Sequence, residues 1–137
     1  MQLIKAIVPF FCLLFINAVY SQTDSDSCHF EFDTLTKRNI YFITDIEPSF
    51  PGGIEEMKNF INKNIEYVDP GCYQATIYVS FTVETDGKLT NIQIKRGVEN
   101  DLNNAAVDVI KKMPDWVPAK CHGLIVPSMA IIPIRFE

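Results

Sequence analysis

The sequence has no cluster of basic residues. Among its 137 residues, 12 are lysine or arginine and 17 are aspartate or glutamate, which gives a formal net charge of −5. The pairs Lys37-Arg38 and Lys111-Lys112 are far apart in the chain and are typical of solvated surface. Because a protein that binds nucleic acid concentrates lysine and arginine on one face, this composition argues against nucleic acid as a partner.

Residues for metal binding or catalysis are also scarce. The chain has four cysteines and two histidines but no Cys-x-x-Cys motif, whereas a zinc site needs closely spaced ligands. Cys121 and His122 are sequence neighbours on a predicted loop, and no third residue is evident that could orient them for catalysis. Glu55 and Glu56 are adjacent on a predicted helix and do not face one site. We therefore expect no enzyme activity, metal, cofactor or small-molecule substrate.

The N-terminal apolar run is too short to span a membrane comfortably. As a helix, Ala6 to Ile16 would be roughly 16 Å long at about 1.5 Å per residue, whereas a bilayer core is about 30 Å thick. Lys5 precedes this run, and Val19-Tyr20-Ser21 follows it as a small-x-small cleavage site. These three parts predict a secretory signal peptide over residues 1–21. The alternative is a retained anchor that extends through Tyr20.

The mature chain begins with a polar stretch that leads to a first helix. Residues 22–39 are expected to be flexible or extended, and Ile40 to Ile43 form an aromatic and β-branched run that suits a strand packed on the side of the domain. Pro48 to Gly53 then interrupt the chain. From Ile54 to Ile65, apolar residues recur at helical spacing, which predicts an amphipathic helix of about three turns.

A hairpin and a second helix follow. From Thr76 to Glu84, polar and apolar residues alternate with the period of a strand that has one buried face. Asp86-Gly87 is a two-residue turn signal, and the return strand runs from Lys88 to Arg96. Apolar residues from Leu102 to Met113 recur at helical spacing, so this segment is predicted to be the second amphipathic helix.

The last predicted strand runs from about Ile125 to Phe136. Since the second helix carries the chain back across the sheet, this strand should be antiparallel to the first hairpin strand and parallel to the second, in the order second–first–third. Pro133 has no N–H to donate, which favours an edge position. The prediction is an α+β fold, with a three-stranded antiparallel sheet, both helices on one face and the third strand at the edge.

Three cysteines remain after the predicted cleavage, namely Cys28, Cys72 and Cys121. Export favours disulfides, and the odd number leaves one thiol over. A bridge between Cys72 and Cys121 is disfavoured, because the predicted topology places them at opposite ends of neighbouring strands, about 25–30 Å apart at ~3.3 Å per residue. A disulfide needs Cα atoms within about 7 Å. The pairing of the three cysteines stays open.

Four short motifs occur in an order that resembles the C-terminal domain of TonB. Phe50-Pro51-Gly52-Gly53 before an amphipathic helix resembles the F-P-G-G motif of that family. Tyr78 to Phe81, with Asp86-Gly87 and then Val98, resembles its hairpin. Trp116 to Ala119 resembles its W-x-P-A/G element, and Pro133 to Phe136 matches its closing P-I-x-F.

This resemblance spans roughly Ile40 to Glu137. It predicts a TonB C-terminal-like domain over residues 40–137, after the signal peptide over 1–21 and the flexible or extended segment over 22–39. It also implies a location in the periplasm or cell envelope of a Gram-negative bacterium, with membrane association if the signal is retained. The transducers of the family carry a Pro-rich spacer that this sequence does not show, which argues against energy transduction but not against the family's binding surface.

In the TonB family, the domain captures a short peptide segment by adding it to the edge of its sheet. For this chain, the resemblance implies a protein-binding module linked to outer-membrane transport, whose partner is an envelope protein or a peptide of an outer-membrane receptor. The residues that would form the binding edge are Val126, Ser128, Met129, Ile131, Pro133 and Arg135.

Three alternatives stay open at this stage. The chain could be an anchored, truncated TonB-type transducer for outer-membrane receptors. It could instead be a self-associating structural envelope protein that forms a homodimer through the same edge. In the third alternative, the edge is simply protected by the segment Ile40 to Ile43. Phe50 and Trp116 are expected to be core residues rather than contact residues, Phe50 as a staple for the first helix and Trp116 as a lid.

Overall fold

A computed structural model describes residues 27–66, 69, 71 and 74–137 of this chain. The predicted signal peptide over residues 1–21 lies outside the described residues, and so does Cys72. None of the helices in these ranges has the length and apolar character of a membrane-spanning segment.

The described part contains two helices and seven strands. In chain order these are β1 (His29–Asp33), β2 (Arg38–Ile43), α1 (Ile54–Asn64), β3 (Ala75–Val83), β4 (Leu89–Arg96), α2 (Asn100–Lys111), β5 (Ala119–Cys121), β6 (Leu124–Val126) and β7 (Ser128–Phe136). Five strands form one sheet in the order β1-β2-β7-β3-β4, and β5 pairs with β6 separately. The predicted α+β class and both helices are confirmed. The prediction of a three-stranded sheet is wrong, because the segment after residue 28 adds β1 and β2.

Both helices pack against the same face of the five-stranded sheet. Alternate residues of β3, beginning with Ala75, are buried on this face. Their core neighbours include Met57 and Ile61 from α1 and Ala106 and Val109 from α2. The apolar stripes of the two helices are spaced three or four residues apart, so each helix presents one continuous apolar side to the sheet. Burying one large aliphatic side chain is worth about 1.5–3 kcal/mol, so this core is the main source of stability.

Strand β3 is paired on both sides. It is antiparallel to β4 on one side and to β7 on the other, where the register runs from Ala75 opposite Phe136 to Val83 opposite Ser128. The predicted order second–first–third is therefore present as β4-β3-β7. Since β4 and β7 are both antiparallel to β3, they run in the same direction, as the sequence predicts.

The predicted last strand is interrupted at Pro127. Its first residues belong to β6, where Val126 pairs with Ala119 of β5, and the remainder forms β7. Strand β7 also has a neighbour on its second side, because β2 lies parallel to it through one residue pair, Tyr41 with Ser128. The Tyr41 N–H donates to the Pro127 carbonyl at 3.0 Å. The predicted edge position is therefore wrong for the start of β7, where the N-terminal segment supplies a partner.

Three aromatic rings close the core near the tip of the β3–β4 hairpin. Trp116 is 6% exposed, and its ring makes edge-to-face contacts with Phe81 and Phe50 at centroid distances of 5.1 and 6.0 Å. Phe50 also contacts Phe60 of α1 at 5.7 Å. Phe50 and Trp116 are thus core residues, as predicted. Phe50 anchors α1, and Trp116 covers one end of the core.

The turn between β3 and β4 touches the backbone of Trp116. The Trp116 N–H donates to the Gly87 carbonyl at 2.8 Å, and Gly87 has a φ of 87°. A Cβ added to Gly87 would lie 2.2 Å from the Trp116 carbonyl oxygen. Glycine is required here for two reasons, because it tolerates the positive φ and because it leaves room for the neighbouring backbone.

A disulfide fastens the β1–β2 hairpin to the β5–β6 pair. Cys28 and Cys121 are bonded, with their Cα atoms 6.2 Å apart. Both cysteines belong to a small second core against which Tyr41 of β2 packs. Cys121 thus pairs with Cys28, which directly precedes β1. The bridge between Cys72 and Cys121, which the predicted topology disfavoured, does not form.

Replacing Gly87 with alanine should lower the free energy of unfolding by about 3 kcal/mol or more, because a backbone clash adds to the strain of a positive φ. Gly123→Ala is the matched control. Gly123 has a φ of 76°, but an added Cβ there meets nothing within 4 Å. Its loss should stay near 1–2 kcal/mol, the strain of the positive φ alone. Denaturant unfolding measures both variants, and equal losses would contradict the close contact with Trp116.

Reducing the Cys28–Cys121 bridge should lower the free energy of unfolding by about 4–5 kcal/mol in the chain-entropy model, because the two residues are 93 positions apart. Denaturant unfolding with and without a thiol reductant measures this loss. The variant Cys72→Ala keeps the bridge and should lose as much on reduction as the unmodified chain. If reduction had no effect on the Cys72→Ala variant, the pairing would have to involve Cys72.

Candidate functional site

The second side of β7 is largely open. Along its β3 side the strand is paired from end to end, whereas on its other side β2 pairs with it at Ser128 only. After Ile43 the chain turns away from β7, and it next pairs at Ile46 with Lys120 and at Ser49 with Val117. The stretch from Met129 to the end of β7 therefore has no second strand beside it among the described residues.

The backbone groups on this open side can be assigned from the strand geometry. The carbonyl of Pro127 points toward β2, since it accepts the Tyr41 N–H. Successive residues of a strand point their N–H and C=O groups to opposite sides, so the odd-numbered residues of β7 direct theirs to the open side. Beyond the contact with β2, Ile131 and Arg135 offer a donor and an acceptor each, and Pro133 offers only its carbonyl.

The structure places the predicted edge residues in three different settings. Met129, Ile131, Pro133 and Arg135 alternate along β7 with exposed side chains, as expected. Ser128 is in the same strand but is only 1% exposed. Val126 is not at this edge, because the break at Pro127 puts it in β6, where it is buried at 8% exposure in the second core.

A groove lies between the open side of β7 and helix α1. Its upper part has a volume of about 460 Å³ and is lined by Phe42, Thr44, Glu47, Pro48, Ser49, Phe50, Ile54, Met57, Trp116 and residues 128–132. Its lower part, of about 660 Å³, is lined by Ile54, Met57, Lys58, Ile61, Asn62, Ile65, Glu66, Pro133 and residues 135–137. The two parts share Ile54 and Met57 of α1 and so are neighbours along β7, and we call them together the β7 groove. Most of the side chains along it are apolar.

Charges along the β7 groove are of both signs and are solvent-exposed. Lys58 donates to Glu55 at 2.9 Å, and Glu66 lies 3.8 Å from Lys112, which directly follows α2. Arg135 and Glu47 line opposite ends. Exposed ion pairs of this kind contribute little, so apolar contact and backbone pairing are the main interactions that the groove offers.

An ion pair holds β2 in place beside the upper part of the β7 groove. Arg38 donates to both carboxylate oxygens of Glu84, at 2.5 and 2.6 Å, and Thr90 also donates to Glu84. The hydrogen bonds from Arg38 lower the pKa of Glu84 below its usual range, although burial of the carboxylate acts in the opposite direction. Bidentate pairs of this type restrict orientation, so Arg38 holds β2 against the end of the β3–β4 hairpin.

Cys28, Cys121 and His122 form a cluster of metal-ligand types, with ligand atoms within 4.8 Å of one another. The two cysteines are joined in a disulfide and so supply no thiolate in this state. Asp45 instead organises this corner by accepting hydrogen bonds from the Ser27 hydroxyl and the His122 backbone N–H. These bonds lower the pKa of Asp45. The cluster therefore has a structural role and holds the base of the β1–β2 hairpin in place.

Sequence reasoning missed the residues that form the far wall of the groove. Phe42 and Pro48 come from segments whose position depends on contacts distant in sequence. The run from Ile40 to Ile43 was a usable signal, since it predicts a strand at the side of the domain. Its pairing with β7 through Tyr41 gives partial support to the alternative in which this segment protects the edge.

The Arg38–Glu84 pair should make stability depend on pH. Because its folded-state pKa is lowered, Glu84 stabilises the fold above the unfolded-state pKa of about 4.3, and this contribution is lost as the pH falls through the folded-state pKa. Glu84→Gln should cost about 1 kcal/mol at pH 7, since Arg38 is partly exposed, and it should show a smaller loss on acidification. Denaturant unfolding at pH 7 and pH 3 measures both effects. An unchanged acid dependence in Glu84→Gln would contradict this assignment.

Comparison with known proteins gives one informative result. Residues 72–137 match the family model described as Gram-negative bacterial TonB protein C-terminal. No curated protein and no solved structure matches the chain. The matched region contains β3, β4, α2 and β5 to β7, so it includes the open side of β7, whereas β1, β2 and α1 precede it.

The family gives a general frame for the site. TonB C-terminal domains are protein-interaction modules of the Gram-negative envelope, and they contact outer-membrane receptors and other envelope proteins. The matched region has an α+β arrangement. It also contains the three motifs between Tyr78 and Phe136 that resemble those of the family. Residues 72–137 of this chain, just under half of its length, thus resemble the C-terminal domain of TonB.

Proposed function

We propose that this chain binds an extended segment of another envelope protein and adds it as a strand to the open side of β7. The proposal depends on one observation, the unequal pairing of β7. It forms nine residue pairs with β3 and one with β2. Unpaired strand backbone beside an apolar groove is the arrangement that strand addition uses, because the backbone supplies affinity and the groove supplies selectivity.

Backbone pairing alone would give weak binding. The groups assigned to the open side comprise two donors and three acceptors, from Ile131, Pro133 and Arg135. At about 1 kcal/mol each, their hydrogen bonds contribute roughly 5 kcal/mol. Association costs at least about 4 kcal/mol, so little affinity is left from the backbone. Burying about 200 Å² of apolar surface in the β7 groove would add a further ~5 kcal/mol, which makes groove contacts decisive for partner choice.

The proposed setting is the periplasm, and the proposed guest is a segment of an outer-membrane receptor or another envelope protein. Support for this setting comes from the signal-peptide pattern over residues 1–21 and from the Cys28–Cys121 disulfide, which suits an oxidising compartment. The family match over residues 72–137 supports the class of partner. An anchored, truncated transducer would use the same surface, so the binding proposal does not depend on whether the signal is cleaved.

Blocking the open side should abolish capture without unfolding the domain. Ile131→Pro removes an open-side donor and places a ring in the β7 groove, while the groups of β7 that pair with β3 are unchanged. A photo-crosslinking residue at Met129, in the full chain expressed in Gram-negative cells, should capture an envelope protein. The Ile131→Pro change should reduce that capture about tenfold or more, because it combines a lost hydrogen bond with a steric block.

Two controls separate this proposal from its rivals. Ile131→Ala keeps the backbone N–H and should retain more of the capture than Ile131→Pro, and a crosslinker at Lys111 on α2 should capture little. If capture came mainly from Lys111, or were unaffected by Ile131→Pro, strand addition at β7 would be wrong. If the captured protein were the chain itself, with a mass that rises with concentration in sedimentation, the surface would be a homodimer interface instead.

A further inference from the structure

The fold brings three metal-ligand side chains together at the base of the β1–β2 hairpin. They are Cys28, Cys121 and His122, and the two cysteines are 93 positions apart in the chain. One ligand atom from each residue, two sulfurs and an imidazole nitrogen, lies within 4.8 Å of the other two. Spacing along the sequence did not predict this group, because only the folded chain makes Cys28 a neighbour of the Cys121-His122 pair.

The separation of these atoms suits a tetrahedral zinc ion. Zn–S bonds are about 2.3 Å long and Zn–N bonds about 2.0–2.1 Å, so ligand atoms around such an ion are about 3.5–3.8 Å apart. The limit of 4.8 Å in this cluster is therefore close to the spacing that zinc needs. Reduction of the disulfide frees the two sulfurs to move apart to that spacing.

The backbone holds His122 in place for this role. His122 and Gly123 are the two residues between β5 and β6, and they have φ values of 50° and 76°. The Asp45 carboxylate accepts a hydrogen bond from the His122 backbone N–H at 2.7 Å. Cys28 and Cys121 are at most 5% exposed, whereas His122 is exposed. An ion that approaches from solvent thus meets the imidazole first, and the sulfurs would hold it on the protein side.

We propose that, when its cysteines are reduced, this cluster binds one Zn²⁺ ion through the sulfurs of Cys28 and Cys121 and a ring nitrogen of His122. Thiolate and imidazole are donors that zinc prefers, and with three protein ligands a tetrahedral ion has a fourth position for water. The ion joins the β1–β2 hairpin to the β5–β6 pair, as the disulfide does in the oxidised chain. The two parts of the fold are thereby crosslinked in both redox states.

The reduced state precedes the disulfide, because cysteines enter the chain as thiols. Zn²⁺ then forms two Zn–S bonds, and the two thiol protons pass to water. An oxidising disulfide from another molecule later reverses this step by thiol–disulfide exchange. The Cys28–Cys121 bond forms, the oxidant is reduced to two thiolates, and Zn²⁺ is released. The zinc-bound form is therefore the one expected before oxidation.

Co²⁺ makes the site visible, since thiolate-bound cobalt absorbs in the near ultraviolet and tetrahedral cobalt in the red. The full chain with Cys12→Ser and Cys72→Ser keeps only the Cys28 and Cys121 thiols. A phosphine reduces its disulfide to two thiols and becomes the phosphine oxide with oxygen from water. Under anaerobic conditions this chain should then bind one Co²⁺ and show both absorptions, and Zn²⁺ should displace the Co²⁺. The same chain left oxidised should show neither absorption.

The two histidines of the chain provide matched variants. Each directly follows a bridge cysteine, but only His122 belongs to the cluster, whereas the ring of His29 stacks on Phe42 at 6.2 Å. His122→Ala should weaken Co²⁺ binding to the reduced chain about tenfold or more, because one of three protein ligands is lost. His29→Ala should leave the affinity unchanged.

Melting temperature separates a folded site from ligands in a flexible chain. Zn²⁺ should raise the melting temperature of the reduced chain by several degrees and leave that of the oxidised chain unchanged, because an ion that binds the folded state stabilises it. The proposal is overturned if the reduced chain shows no thiolate–cobalt absorption or if the oxidised chain binds Co²⁺ equally well. Equal losses in His29→Ala and His122→Ala would also overturn it, since an unfolded chain would use either histidine.

Discussion

The pairing of β3 with β7 is the interaction on which this domain depends. Ile77, Val79 and Phe81 are at most 1% exposed on the helix side of β3, and Ser80 and Thr82 are buried on its other side. Because water cannot reach the backbone of such a strand, neighbouring strands must satisfy its N–H and C=O groups. Strand β7 does so on one side over the full length of β3. This pairing holds β7 in place beside helix α1. The β7 groove is the space that remains between the strand and the helix.

Local patterns were enough to predict this part of the fold. Alternation in β3, the Asp86-Gly87 turn and the helical spacing after Asn100 each depend on residues close together in sequence, and the strand order followed from the helical crossover. The β1–β2 hairpin could not be predicted in the same way. Its position depends on a disulfide across 93 residues and on the Arg38–Glu84 ion pair, and neither has a local sequence signature.

The candidate site was predicted in part for the same reason. Alternation along β7 correctly placed the exposed side chains of Met129, Ile131, Pro133 and Arg135. Val126 was misplaced, because Ile125 to Phe136 was predicted as one strand, whereas the strand is interrupted at Pro127 and Val126 pairs with β5. The upper cavity was not foreseen at all. It is formed where β2, the segment before α1 and the Trp116 loop converge, and only the folded chain brings these together.

The proline in the middle of β7 has a consequence for the choice between self and non-self partners. A ladder between two copies of this strand, related by a twofold axis, would lack an N–H at Pro133 from each copy and so lose two bonds. A foreign strand with an ordinary backbone would lose one. Pairing between two copies of β7 therefore loses one more hydrogen bond than pairing of β7 with a foreign strand, whatever the side chains are.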